Sequence, residues 1–164
     1  MSHSVTVTRT VTTSSGSMLI VNTGFLGTVP GLLKLAELLL GAACVGVIAY
    51  YWDYQYYTTT KRAELFYFLI SVAFLIGTFS IFLSYLVSLS TASFMSKTVF
   101  EVIYHGLGFV LYLAASLTLV IEISHRQKSS VYDAYLAASI MGFVMAALYL
   151  LSAFFGNRSY RGVY

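Results

Sequence analysis

The sequence predicts an all-α membrane protein, a four-transmembrane antiparallel helix bundle in up-down-up-down order. Of its 164 residues, 59% are apolar and only 9% are charged, whereas ordinary soluble domains carry about 25% charged residues. Four apolar segments of about twenty residues or more are long enough, at ~1.5 Å per residue, to cross a ~30 Å hydrocarbon layer. The links between them are short, which favours consecutive helices that lie side by side and run antiparallel.

Residues 1–24 precede the first apolar segment, and we predict that they form a disordered cytosolic tail. Ten of residues 2–17 are Ser or Thr, a composition that cannot bury enough apolar surface to fold. The tail contains no apolar run of the kind found in a signal peptide, so we expect the first helix itself to direct membrane insertion.

The first helix is predicted over 31–51, and both of its ends are marked. Pro30 fits a first helical turn. The other end carries a dense aromatic run, which is typical of the headgroup level, where a ring can keep one polar edge in water. The predicted interfacial belt consists of Tyr50, Tyr51, Trp52, Tyr54, Tyr56 and Tyr57. We expect the remaining aromatic side chains to face mostly lipid.

The other three helices are predicted over 65–88, 99–123 and 134–155, followed by a short cytosolic tail over 157–164. An even number of crossings places both termini on one side of the membrane. The positive-inside count is tied, and Lys34, which can reach back to the N-terminal face, tips the prediction towards cytosolic termini. The sequon at Asn157 would indicate the opposite orientation if it were glycosylated, but a motif match of this kind has low specificity.

Small residues recur at four-residue spacing, a pattern by which membrane helices approach each other closely. The predicted packing positions are Ala42 and Gly46 in the first helix, Ala73 and Gly77 in the second, and Ala134, Ala138, Gly142 and Ala146 in the fourth. Contacts within one bundle are the simplest interpretation of these stripes. A face for homodimer formation is the alternative.

Four ionisable residues lie in the first two turns of helices one and three: Lys34, Glu37, Glu101 and His105. Both helices start from the same face, so Lys34 and Glu101 lie ~5 Å inside, and Glu37 and His105 lie ~8–10 Å inside. We predict the pairs Lys34–Glu101 and Glu37–His105 in one network. Intramembrane charges suggest a proton or ion relay. Their distance from the midplane, where transport sites usually lie, favours a polar staple between helices one and three.

The sequence also excludes several classes of function. Cys44 is the only cysteine, which excludes an intramolecular disulfide and a metal site of several cysteines. The net charge of +3 is dispersed, so no nucleic-acid partner is expected. The sequence contains no phosphate-binding loop, no His-x-x-x-His pair and no Ser-His-Asp candidate. We therefore predict no enzymatic activity, no cofactor, and no catalytic or metal-binding residue.

The start of the first helix resembles a known family. Residues 25–37 read FLGTVPGLLKLAE, which is similar to the opening F/Y-L-x-T-x-P-G-L-L-K-L-x-E of MARVEL proteins, in particular the chemokine-like factor group. The resemblance implies a MARVEL-like membrane domain over 25–156. Together with the Ser/Thr-rich tail, this opening also resembles an insect membrane protein of myoblast fusion.

The resemblance implies a non-enzymatic membrane organiser or adaptor in vesicle trafficking, or in membrane apposition and fusion, myoblast fusion included. The implied location is the plasma membrane or trafficking vesicles. The implied partners are membrane lipids and other membrane proteins, bound through lateral helix contacts, with a homo-oligomer as an alternative. Two rival functions stay open: a small proton-coupled transporter that uses Glu37, and a structural component of cell junctions with the Tyr-rich outer loop as its adhesive.

Overall fold

The structure, a computed structural model, describes residues 23–52, 62–87, 98–125 and 130–161. These ranges contain a short 3₁₀ helix, Thr23–Gly27, and no strand. The long helices are α1 (Val29–Tyr51), α2 (Arg62–Val87), α3 (Val99–Ser124) and α4 (Ser130–Tyr160). All four are long and apolar enough to cross a membrane, and the predicted fold class is therefore confirmed.

The helix bounds differ most from the predicted ones at the end of α4. The sequence predicts a tail from residue 157, whereas the helix continues to Tyr160, and the N–H of Arg161 donates to the carbonyl of Asn157 at 3.1 Å. Gly156 does not end the helix, because one glycine costs an α-helix only about 1 kcal/mol. The sequon therefore lies in helical backbone. Residues 1–22 of the predicted tail lie outside the described residues.

The motif before α1 folds the chain back on itself. The Thr28 hydroxyl accepts the N–H of Gly31 at 3.2 Å and donates to the carbonyl of Phe25 at 2.7 Å. Pro30 lies in the first turn, where a helix needs no N–H donor. Gly31 is required by close approach, because a Cβ there would lie 2.0 Å from the Phe25 carbonyl oxygen. The 3₁₀ helix is thereby held against the start of α1.

Contacts at the two ends of the bundle establish its antiparallel order. At one end, Lys34 of α1 contacts Glu101 of α3, which in turn contacts Tyr85 near the end of α2. At the other end, the Trp52 ring lies 5.9 Å from the ring of Phe68 near the start of α2. Each helix packs against its two neighbours in the ring order α1, α2, α3, α4, and the α3–α4 contact is the most extensive. Helices α1 and α3 therefore face each other diagonally across the centre.

Tyrosines fill the centre of the bundle. The largest fully buried side chains, each at most 1% exposed, are Tyr67, Tyr112, Tyr135 and Tyr149. The expectation that aromatic side chains mostly face lipid is therefore wrong for these tyrosines. The reason is that lipid offers a hydroxyl group no hydrogen-bond partner. Inside the bundle, Tyr67 donates to the Ala138 carbonyl at 2.5 Å, and the Tyr149 and Thr78 hydroxyls lie 2.7 Å apart.

Candidate functional site

The candidate site is a polar network at the end of the bundle where α1 and α3 begin, and its centre is an ion pair. The Lys34 ammonium lies 2.5 Å from Oε1 of Glu101, with the two side chains 2% and 9% exposed. Tyr85 of α2 donates its hydroxyl to Oε2 of Glu101 at 2.8 Å. The carboxylate thus has a charged donor on one oxygen and a hydroxyl donor on the other. Such partners are what a buried ion pair needs to offset its removal from water.

A second pair, Glu37 and His105, lies one turn deeper. Oε2 of Glu37 is 3.7 Å from Nε2 of His105, and Ser152 of α4 donates to Oε1 of Glu37 at 2.5 Å. Nδ1 of His105 lies 2.7 Å from the main-chain carbonyl oxygen of Glu101. A carbonyl only accepts, so Nδ1 carries a proton. Nε2 then accepts from Lys34, 3.5 Å away, when the ring is neutral, and faces Glu37 as a donor when the ring is charged.

The formal charges of this network cancel when it holds one additional proton. Lys34 contributes one positive charge, and the two carboxylates contribute one negative charge each when ionised. The network is therefore singly negative with a neutral His105 and neutral with a protonated one.

The structure brings the four predicted ionisable residues together, and it adds two residues that the sequence analysis missed. Tyr85 and Ser152 connect α2 and α4 to the network. The predicted staple was between helices one and three, whereas the observed contacts involve all four helices. A signal for the two missed residues exists, because both are polar and lie near the ends of α2 and α4, at the level where α1 and α3 begin.

A further set of buried polar groups lies deeper in the bundle. The hydroxyls of Ser71, Tyr112 and Ser116 are buried without a hydrogen-bond partner among the described residues. Near the opposite end, Glu64 is buried at the start of α2. The sequence signal for these positions is the spacing of three and four residues on α2, which lines up Glu64, Tyr67, Ser71, Phe74 and Thr78 on one face.

The small residues of α4 face the interior, as the sequence predicts for this helix. Ala138, Gly142 and Ala146 are buried and Ala134 is half-buried. A Cβ at Gly142 would lie 2.2 Å from Oγ of Ser116, so this glycine permits a close approach of α3 and α4.

The small residues of α1 do not contact the bundle, and their predicted packing role within it is wrong. Ala42 and Gly46 are exposed, and a Cβ at Gly46 would meet nothing within 4 Å. The ionisable residues determine the inward face of α1, and that face consists of Gly31, Lys34, Glu37, Gly41, Cys44 and Ile48. On α2, Ala73 is exposed, because the inward face of this helix contains Ser71, Phe74 and Thr78 instead. Gly77 is half-buried beneath the Tyr104 side chain.

The predicted aromatic belt is described only in part. Tyr50 is 66% exposed, and Tyr51 and Trp52 are half-buried. The other predicted members, Tyr54, Tyr56 and Tyr57, lie outside the described residues. Within the described ranges, no group of His, Cys, Asp and Glu residues is arranged to hold a metal ion.

Comparison with known proteins places this architecture in a family. A family model described as MARVEL, membrane-associating domain, matches residues 25–155. The human CKLF-like MARVEL transmembrane domain-containing protein 8 is 27% identical over 167 residues, covering 98% of this chain and 92% of that protein. MARVEL domain-containing protein 1 of Xenopus laevis is 28% identical over 172 residues, covering 97% and 95%. No solved structure matches. The chain therefore belongs to the MARVEL family of membrane-associating domains.

Proposed function

We propose that this protein is a membrane organiser without enzymatic activity that binds other membrane proteins or lipids laterally. In this proposal it acts in vesicle trafficking or in membrane apposition and fusion. One observation carries the proposal. In the described spans, four ionisable side chains turn inward and contact one another, while large apolar side chains turn outward on all four helices; the four are Lys34, Glu37, Glu101 and His105. What the protein offers to a partner is thus its lipid-facing surface.

The outer face of α1 supports lateral binding in particular. Apolar surface gains nothing by leaving an apolar solvent, so helices associate in lipid through close backbone approach. Ala42 and Gly46 are exposed on this face, and Gly46 has open space where a side chain would begin. A neighbouring helix can therefore approach the α1 backbone closely. A partner membrane protein is the proposed occupant, and a second copy of the chain is the alternative.

The polar network has a structural role in this proposal. Its contacts join α1 and α3 across the diagonal through Lys34 and Glu101, and they add α2 and α4 through Tyr85 and Ser152. Apolar contacts alone would let the helices rotate or slide relative to one another, since lipid competes equally for apolar surface. Paired polar groups favour one register, because any other leaves a charge unpaired in lipid. The network would thereby fix which surface of each helix faces outward.

Site-specific photo-cross-linking in cells tests the lateral-binding function. A photoreactive amino acid at Ala42 should capture discrete membrane proteins, while the same residue at buried Ile48 should capture none. The surface level of each captured protein should fall when the chain is depleted. Re-expression of the wild type should restore the surface level of these proteins. Gly46→Ile, which blocks the close approach, should not restore it. The matched variant Leu39→Ile, on the exposed surface, should restore it. Unchanged partner levels after depletion, or full rescue by Gly46→Ile, would contradict the proposal.

A proton-coupled transporter is the second candidate, because buried hydroxyl groups continue inward from the network. The Tyr149 ring lies 5.7 Å from the His105 ring, and its hydroxyl contacts Thr78 at 2.7 Å, which in turn contacts Tyr104 at 3.0 Å. The unpartnered hydroxyls of Ser71, Tyr112 and Ser116 lie beyond them. Purified protein in liposomes distinguishes the candidates. A proton flux that Glu37→Gln abolishes would favour the transporter.

A further inference from the structure

A cavity of about 380 Å³ opens at the end of the bundle where α1 begins and α4 ends. Its walls are mainly apolar, and the wall residues are Phe25, Pro30, Leu33 and Phe155. Two hydroxyl-bearing residues also line it. Thr28 directly precedes α1, and Ser159 is the second-last residue of α4. Because these two residues lie at helix ends, the cavity faces the headgroup level and the water beyond it.

The deep side of the cavity is formed by an ion pair that already has its partners. Lys34 and Glu101 line this side, and their side chains are only 2% and 9% exposed. Tyr85 donates to Glu101, and its ring is stacked on the Phe25 ring, with centroids 4.8 Å apart and planes 7° apart. What the cavity offers to an occupant is therefore its apolar wall. Water in such a space finds few hydrogen-bond partners, and water beside an ion pair weakens the attraction between its charges.

The wall residue Phe25 connects the cavity to the N-terminal tail. It belongs to the 3₁₀ helix Thr23–Gly27, and the Thr28 hydroxyl donates to its carbonyl at 2.7 Å. The tail therefore joins the described structure only two residues before a wall of the cavity. Five extended residues span at most ~18 Å, so residues 18–22 are within reach of the space beside Phe25.

Residues 18–21 differ in composition from the rest of the tail. They read Met-Leu-Ile-Val, whereas ten of residues 2–17 are Ser or Thr. No charged residue occurs between Arg9 and Lys34, so this segment can enter an apolar space without removing a charge from water. A segment joined to the cavity wall by a short link also binds at a high effective concentration, an advantage that a separate molecule lacks.

From these observations we propose that residues 18–21 of the same chain dock in the cavity and close it. The side chain of Leu19 and its apolar neighbours would contact Leu33 and Phe155, and the segment would keep water away from the ion pair beneath. This proposal goes beyond the proposed function and does not depend on it, because it concerns the end of the bundle, whereas lateral binding concerns the outer faces of the helices.

Disulfide cross-linking of the full chain in lipid nanodiscs tests the proposal. Cys44→Ala removes the native thiol, and Leu19→Cys is combined with Ser159→Cys in the cavity. The matched control combines Leu19→Cys with Tyr160→Cys, because Tyr160 is the next residue of α4, is 50% exposed and does not line the cavity. The pair with Ser159→Cys should form its intramolecular disulfide at least about tenfold faster than the control pair.

Three outcomes of this experiment would overturn the proposal. The first is an equal rate for the two pairs, and the second is no intramolecular disulfide in either pair. The third is a disulfide that joins two copies of the chain, seen as a dimer on a non-reducing gel, because the occupant would then be the tail of a second copy.

Filling the cavity separates docking from chance collision. Leu33→Trp places a larger side chain in the cavity and should slow formation of the disulfide between positions 19 and 159 about tenfold. Its neighbour Leu32 is 55% exposed, and Leu32→Trp should leave the rate unchanged. An undiminished rate in a folded Leu33→Trp variant would refute the proposed site.

A change in the tail itself provides a second test if Leu33→Trp fails to fold. Ile20→Asp lies outside the four helices, and its charge opposes entry into an apolar cavity. It should slow the same disulfide about tenfold, whereas the matched change Thr12→Asp should not. Equal rates for Ile20→Asp and Thr12→Asp would refute docking of residues 18–21.

Discussion

Substituting Gly142 by leucine tests the packing of the bundle most sharply, because the chain provides a matched glycine on its outer surface. A Cβ at Gly142 would lie 2.2 Å from Oγ of Ser116 and 2.7 Å from the ring of Tyr67. The Tyr67 ring cannot move away easily, since it is buried and its hydroxyl donates to the Ala138 carbonyl. At Gly46, by contrast, a Cβ would meet nothing within 4 Å.

The expected loss of stability follows from two opposing effects. Inserting a larger side chain into a packed core costs about 1–3 kcal/mol, and the contacts below 3 Å at Gly142 place leucine at the upper end. Replacing glycine in a helix gains about 1 kcal/mol. Gly142→Leu should therefore lower the free energy of unfolding by about 2 kcal/mol. Gly46→Leu has the same helix gain without the clash, so the difference between the two variants isolates the packing cost.

Cys44 provides the assay, because it is the only cysteine and its side chain is fully buried. A thiol-reactive fluorophore reports its exposure as the purified protein is heated. A change of 1 kcal/mol shifts Tm by about 2–4 °C for a chain of this size, so Gly142→Leu should melt about 4–8 °C below the wild type. Gly46→Leu should melt at or above the wild-type temperature.

A cause-specific control accompanies this pair of variants. Gly142→Ala should be less destabilised when combined with Ser116→Ala, because the second change removes the atom at 2.2 Å. Equal melting temperatures for Gly142→Leu, Gly46→Leu and the wild type would refute the close approach of α3 and α4 described above.

Three further predictions concern the network and the topology. Lys34→Met should destabilise the protein by about 3 kcal/mol in the same melting assay, because it leaves Glu101 as an unpaired buried charge. Adding Glu101→Leu should restore most of the loss, and additive losses in the double variant would contradict the ion pair. Tyr85→Phe should cost about 1.5–3 kcal/mol through the lost hydrogen bond to a carboxylate, and an unchanged Tm would show that this bond contributes nothing. With cytosolic termini, Asn157 should stay unglycosylated in a eukaryotic membrane, and a mobility shift after endoglycosidase treatment would invert the topology.

The sequence was sufficient to predict the four spans and the proximity of the ionisable residues. Span length follows from bilayer thickness, and depth follows from counting turns from the start of a helix. Lys34 and Glu101 therefore fall at one level whatever the detailed packing. The family resemblance, seen in residues 25–37, was confirmed because the MARVEL family model matches residues 25–155. The resemblance to an insect protein of myoblast fusion stays a prediction.

The contacts that depend on helix rotation could not be predicted. Small residues occur on two faces of α1, and sequence spacing alone does not show that Lys34 and Glu37 turn Ala42 and Gly46 outward. The contact of Ser152 with Glu37 depends on the register of α4. The sequence predicts the end of this helix at residue 155, whereas the helix continues for five more residues to Tyr160, and Ser152 was therefore missed. The buried tyrosines were misassigned because hydropathy does not show that the hydroxyls of Tyr67, Tyr135 and Tyr149 have carbonyl or hydroxyl partners inside the bundle.

The central claim is that the buried charges hold the helices together and do not conduct protons. Glu37→Gln tests it most directly, measured in parallel for Cys44 melting and for proton flux in liposomes. We expect a lower melting temperature for Glu37→Gln, because an amide oxygen accepts the hydrogen bond from the Ser152 hydroxyl less strongly than a carboxylate does. We also expect a wild-type flux no greater than that of protein-free liposomes. An unchanged melting temperature, together with a wild-type proton flux that disappears in Glu37→Gln, would contradict the claim.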